Sequence, residues 1–442
     1  MFNKKSSRHS LALFVALALG SGALLAAAPT HAADVTGTDV EIDDAHAPSD
    51  NATDPNNSSN AIGTAAGFIG NVSDSGNVTN NTLTFNGRPA PPYGKPLFGG
   101  LTFGTGNVTG NRIIVNPSTS PLTSSVDDIY GGVAEGGGSV LNNHAVFNGD
   151  HLNNDMVGGM TRTSGTGIVQ GNTATLKGGS AHARIYGGMA AGGANGDVIG
   201  NTATIEGGTI TGTGNVHGGY TDGTGKVTGN IVTIKGGIIN GAYGGYSEGS
   251  GEVSGNTVNL GDGTGAMAAG YAINGTLFGG QNTTDPNKVS NNTLNVNTNA
   301  AAHNIKNFST INFNFNAHTN TTQSLLTLTD PSKTKLQSLK QLDVKNAPVG
   351  KGTLMENANG IDVAESGTVG RTEEKTETLI QKDGTTKIAY RTYQFKDSTA
   401  LDTDGTDVWG GRSRAGNATT GNHVTLNGNY TGDAYGGWTA GT

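Results

Sequence analysis

The chain has 442 residues, 73 of them glycine and none cysteine, and its 34 acidic and 26 basic side chains leave a net charge of −8. That acidity, without any basic cluster, excludes a nucleic-acid binder, and without cysteine no disulfide can brace the fold even in an oxidising compartment. Only 33% of residues are hydrophobic and 14% charged; the apolar residues are nevertheless regularly phased, which points to order rather than disorder.

At the N-terminus Lys4, Lys5 and Arg8 precede an apolar run over residues 11–28, followed by Pro29 and the small-residue site Thr30-His31-Ala32. Residues 1–32 are therefore predicted to be a secretory signal peptide. The run approaches membrane-spanning length, but Gly20, Ser21, Gly22 and Pro29 argue against a permanent anchor. Residues 33–61 show no strand pattern and are expected to form a mobile leader. Asp43-Asp44 within it reads as solvated tail in preference to a cation site.

Repeats are predicted over residues 62–300. They align on Asn81, Asn111, Asn143, Asn172, Asn201, Asn230, Asn256 and Asn292, with one further anchor at Asn422. Most neighbours lie about 29 residues apart, the mark of stacked coils. Two and four residues after each Asn the side chain is apolar, as in Ala203 and Ile205, Val232 and Ile234, Val258 and Leu260. This alternation predicts a short strand with one buried face and does not fit a helix.

The residue before each Asn is either Gly, as at Gly110, Gly171, Gly200, Gly229 and Gly255, or Asn, as at Asn80, Asn142 and Asn291. What these two share is tolerance of left-handed backbone, so the swap predicts a turn with positive φ. Stacking would then bring the anchor amides into a hydrogen-bonded ladder.

Between the strands lies a second anchor, a bulky residue followed by Gly-Gly: Phe98, Tyr130, Val157, Tyr186, His217, Tyr243, Phe278, Trp409 and Tyr435 occupy its first place. A stripe of sugar-binding aromatics is one reading. Repetition favours the other, a structural stack beside a tight corner. One such coil buries too little to stand alone, so several must stack, and open ends need caps or further coils.

Residues 301–407 depart from the pattern and are predicted to be a divergent β-rich segment interrupting the solenoid. Asp383-Gly384 between two alternating runs signals a hairpin, and charges gather around it, among them Arg371, Glu373, Lys382, Lys387 and Arg391. A solvated β connection is preferred there over a protruding recognition hairpin. Repeats resume over residues 408–442 and stop within a unit at Thr442, so the chain is expected to be part of a longer protein.

Few residues point to chemistry. Asp127-Asp128 is the nearest approach to the paired carboxylates of a glycosidase or lyase. The run Gly192-Gly193-Ala194-Asn195-Gly196-Asp197 has some likeness to calcium-binding nonapeptides but lacks their spacing and does not recur. Thr173 with Thr175 and Thr202 with Thr204 would form an outward Thr array of the ice-binding kind, were it not broken by Ile231 and Asn259. No catalytic, cofactor-binding or metal-ligating residue is assigned.

The signal segment, the lack of cysteine and the tandem units aromatic-Gly-Gly followed by Gly-x-Val-x-Gly-Asn, as in residues 186–208 and 243–260, resemble the passenger regions of bacterial autotransporters. The stretches 308–315 and 352–360 look like the strand-rich segments that interrupt such passengers. The resemblance implies a parallel β-helix exported through the periplasm and across the outer membrane by a C-terminal β-barrel, although this chain ends in a repeat.

The expected function is therefore non-enzymatic, a β-solenoid rod at the bacterial cell surface or outside it. Its expected partners are a surface receptor, glycan, matrix or another copy of the chain, with no cofactor and no membrane span beyond the signal peptide. The alternative is a β-helix enzyme acting on polysaccharide. The two differ in that an enzyme needs acidic residues from adjacent coils converging in one groove.

Overall fold

The computed structural model describes residues 34–37, 39–42, 69–73, 75–86, 96–117, 125–163, 165–182, 184–212, 214–348, 350–363, 371–373, 376–383, 385–394, 402–404, 407–409, 412–413, 433–435 and 438–439. The predicted signal peptide and the anchor Asn422 lie outside them. Among the described residues the fold is a parallel β-solenoid of about nine turns, roughly 29 residues each, with almost no helix.

One coil illustrates all of them. A six-residue strand, Ile185–Ala190, is followed by a turn and the two-residue strand Val198–Ile199. Gly200 then turns the chain at φ 60°. Beyond Asn201 come the strand Thr202–Ile205 and a corner strand, Thr209–Ile210. Each element pairs in parallel with its counterpart in the coils before and after, giving sheets of nine, nine, eleven and six strands.

The predicted inner file exists: Ala203 pairs with Val232, and Val232 with Val258, all at zero exposure. All eight described residues that precede an anchor Asn have positive φ, between 54° and 67°, whether Gly or Asn. For an ordinary L-residue this conformation costs roughly 1–2 kcal/mol. Gly200→Ala is accordingly expected to lose about that much stability, because its added Cβ meets nothing within 4 Å and only the dihedral is at fault. Gly200→Asn should be nearly neutral, and thermal melts of the two variants check the contrast.

The anchor amides form the expected ladder. Asn172 Nδ2 donates to Asn201 Oδ1 at 2.9 Å and Asn201 Nδ2 to Asn230 Oδ1 at 3.0 Å, while each backbone N–H donates to the same oxygen as its own side chain. A second donation, from Asn201 Nδ2 to the Val169 carbonyl at 2.9 Å, ties the amide to the preceding coil. The ladder runs from Asn81 to Asn292 with all eight side chains fully buried. Ser309 takes the next place, and Asn292 Nδ2 is left without a partner among the described residues.

Facing the ladder is the second glycine of each Gly-Gly pair. A Cβ built on Gly188 would lie 2.4 Å from Asn201 Cγ, and all seven second glycines, from Gly100 to Gly280, would strike their own Asn at 2.3–2.8 Å. The first glycine also faces inward: a Cβ on Gly187 would lie 2.7 Å from the Thr202 carbonyl carbon. The two walls therefore touch at this level. Buried side chains divide accordingly, with Ile185, Ala203, Ile205 and Ile210 in the large core and Ala190, Ala194 and Val198 in a smaller one.

Two expectations change. The leader, read as free of strands, contributes Val35–Thr36 and Asp39–Ile42 to the stack, paired with Val78–Thr79 and with 82–85. Gly37 supplies the left-handed turn at φ 62°, but Thr38 stands where the Asn would be, so alignment on Asn passes over this coil. In the divergent segment, coil stacking continues: Ile311 and Leu342 extend the file below Leu294. The predicted hairpin is present, Thr376–Asp383 against Lys387–Gln394, with Asp383 opposite Lys387. It does not protrude alone, since its second strand pairs antiparallel with Gly350–Asn357 and continues that sheet. Near the C-terminus, Val408 and Trp409 pair in parallel with Ala434 and Tyr435.

Candidate functional surface

Because both glycines of each pair face inward, the residues flanking them point outward together. One file is Phe98, Tyr130, Val157, Tyr186, His217, Tyr243 and Phe278; the other is Leu101, Val133, Met160, Met189, Tyr220, Tyr246 and Gln281. The first is the stack expected from sequence. Tyr186, His217, Tyr243 and Phe278 lie face to face at 4.7–4.9 Å. The second was not expected, and it meets the first edge-on, as between Tyr243 and Tyr246 at 5.1 Å. Ring faces are thus spent on neighbouring rings, leaving no free aromatic stripe for a sugar between Tyr186 and Phe278.

His217 replaces an aromatic, as read from sequence, and is 5% exposed, with Nδ1 unpartnered among the described residues. Burial, helped by the Arg184 charge, pushes its imidazole down to about 3. In the unfolded chain the ring titrates near 6.5, so below that pH the unfolded state takes up the proton first. Stability from the neutral ring is full above about pH 6.5 and falls as pH drops toward 3. His217→Phe is expected to flatten melting temperature against pH between 6.5 and 4; a slope equal to that of the unmodified chain would refute the assignment.

Beside the aromatic files stand Asp128, Asp155 and Arg184, each immediately before its strand in successive coils. Acidic residues from adjacent coils do therefore meet here. Their oxygens are engaged in stacking, however: Asp128 Oδ1 accepts from the Asp155 backbone N–H at 2.8 Å, and Asp127 Oδ1 from Asn154 Nδ2 at 2.6 Å. Arg184 binds Asp155 through Nε at 3.2 Å and Nη2 at 3.0 Å. Burial raises the Asp128 carboxyl to about 6, with Asp127 and Asp155 adding smaller repulsions.

The calcium-like run is also occupied by the fold. Asp222, from the next coil, accepts from the Gly192 and Gly193 backbone N–H groups at 2.8 and 2.9 Å, and Asp197 accepts from Lys226 N at 2.8 Å. No group of three or more metal-ligating side chains occurs among the described residues. Thr173, Thr175, Thr202 and Thr204 do lie in register on the outer wall, and the break at Ile231 and Asn259 is in register with them.

Sequence reasoning missed one feature altogether. Where coils give way to the antiparallel strands, an open groove of about 940 Å³ is lined by Tyr271, Asn299, Gln323, Lys351, Glu356, Lys387 and Tyr390 among others. Lys387 Nζ lies 3.7 Å from Glu356, which also accepts from Thr327 Oγ1 at 3.3 Å. Tyr271 is fixed by the Ala301 backbone N–H, which donates to its hydroxyl at 2.8 Å. These residues share no period, and only the charge concentration around Lys387 hinted at the place.

No described helix is long and apolar enough to cross a membrane, which says nothing of β-barrels. Comparison with protein-family models, with characterised proteins and with solved structures finds no significant match.

Proposed function

We propose that this chain is the rod of an exported, non-enzymatic bacterial surface protein of autotransporter-passenger type, displaying its outer walls for adhesion to a receptor, glycan or matrix. One observation carries this reading. The buried determinants of stacking, namely the anchor Asn, the Gly-Gly pair and the inner apolar file, face inward, while one outward register position runs Arg112, His144, Thr173, Thr202, Ile231, Thr257. Such an outer wall can change its chemistry coil by coil without disturbing the stack. The test is expression with the leader intact in a Gram-negative host carrying an epitope tag within residues 118–124. The tag should be recovered outside the cytoplasm, in the periplasmic or extracellular fraction, and purified protein should adhere to matrix- or glycan-coated surfaces. A tag confined to the cytoplasm would overturn the surface role.

The meeting of Asp128 and Asp155 favours a second reading, an enzyme acting on polysaccharide. Screening against uronate and neutral polysaccharides would decide it: activity abolished by Asp128→Asn supports an enzyme, whereas no product from any of them, or activity indifferent to Asp128, removes it.

A further inference from the structure

We propose that the groove between Tyr271 and Tyr390 is a binding site for a short acidic oligosaccharide, with the saccharide carboxylate on Lys351 and Lys387 and a ring hydroxyl on the Tyr390 hydroxyl. This goes beyond the adhesion reading, because binding in the groove requires no display on a cell surface and is measured on soluble protein.

Tyr390 is the first ground. Its side chain is 1% exposed, its ring lies edge-on to Phe315 at 5.0 Å, and its hydroxyl has no hydrogen-bond partner among the described residues although it lines the groove. Unlike His217 Nδ1 and Asn292 Nδ2, this hydroxyl is not sealed from solvent, so it faces the open groove with its bonding capacity free, and a ligand hydroxyl would take the place of water on it. Room for the Tyr390 ring is made by Gly352 on the paired strand, where a Cβ would lie 2.7 Å from Tyr390 Cε1.

Charge and lining select the class. Two ammonium groups, on Lys351 and Lys387, stand against one carboxylate, Glu356, in a chain whose net charge is −8. The excess favours an anion. Apolar lining is limited to the small side chains of Ala300, Ala301 and Ala389, which form no slot for an acyl chain or a large peptide side chain. Hydroxyl and amide groups dominate, with the half-buried Tyr271 ring as a platform, and the volume suits a ligand of a few sugar rings. Phosphate-bearing ligands would call for an arginine fork or a nest of glycine N–H groups, neither of which lines the groove.

The test is calorimetric titration of the full chain with tri-galacturonic acid, maltotriose and acetate. The uronate trimer should bind at least tenfold more tightly than either control and weaken as salt is raised. Tyr390→Phe, which removes one oxygen and keeps the packed ring, should weaken it about tenfold with an unchanged melting curve, and Lys387→Met by more. Failure of the uronate trimer to bind, equal affinity for maltotriose, or equal affinity for acetate would each overturn the proposal. So would uronate binding that a folded Tyr390→Phe variant leaves intact.

Discussion

Asn201→Ala is expected to lower stability by about 3–5 kcal/mol, a large share of what a typical domain has. The side chain donates to Asn230 Oδ1 and the Val169 carbonyl, and its own oxygen accepts from both the backbone and side-chain nitrogen of Asn172. Truncation removes all four bonds in a place without water. Each donor or acceptor left unpaired there costs roughly 1–3 kcal/mol; some of the groups keep a second partner, which holds the total below the simple sum. Asn201→Asp should be worse at neutral pH, because a buried carboxylate would face two acceptor oxygens. Asn274→Ala, at an exposed position, serves as the control and should stay within about 0.5 kcal/mol. Urea unfolding measures the differences. Since each coil contacts mainly its neighbours, hydrogen exchange should show protection lost first around residues 172–230. Equal losses for Asn201→Ala and Asn274→Ala would mean that the ladder does not hold the coils together.

Gly188→Ala is expected to cost at least as much as typical overpacking, about 1–3 kcal/mol and more where neither wall can retreat. Its methyl would lie 2.4, 2.5 and 2.6 Å from three atoms of the Asn201 amide. The amide is held on both sides along the ladder, so it cannot swing away without breaking bonds to Asn172 and Asn230. This collision makes a sharper prediction for the pair. In an Asn201→Ala background the obstacle is gone, and Gly188→Ala should cost much less, giving a coupling of roughly 1–3 kcal/mol in a double-mutant cycle. Strict additivity would show that the glycine is needed for some reason other than room for the amide.

The period, the inward residues, the left-handed turn and the amide ladder were legible along the chain, because each of these is local or repeats one coil away. Val232 sits between Ala203 and Val258, and Gly and Asn exchange at the turn because both accept φ near 60°. The coil at Val35 escaped because its stacking survives without the Asn on which the others align.

What faces what emerged with the folded tube. It placed the second glycine against the amide ladder, turned two files outward where simple alternation allowed one, joined Asp128 to Asp155, and brought Tyr271, Lys387 and Tyr390 to one groove. A repeat reveals the position that stacks upon itself, since like follows like at a fixed interval. The partner across the tube is a different position with a different residue, and no interval in the chain records how the two walls meet.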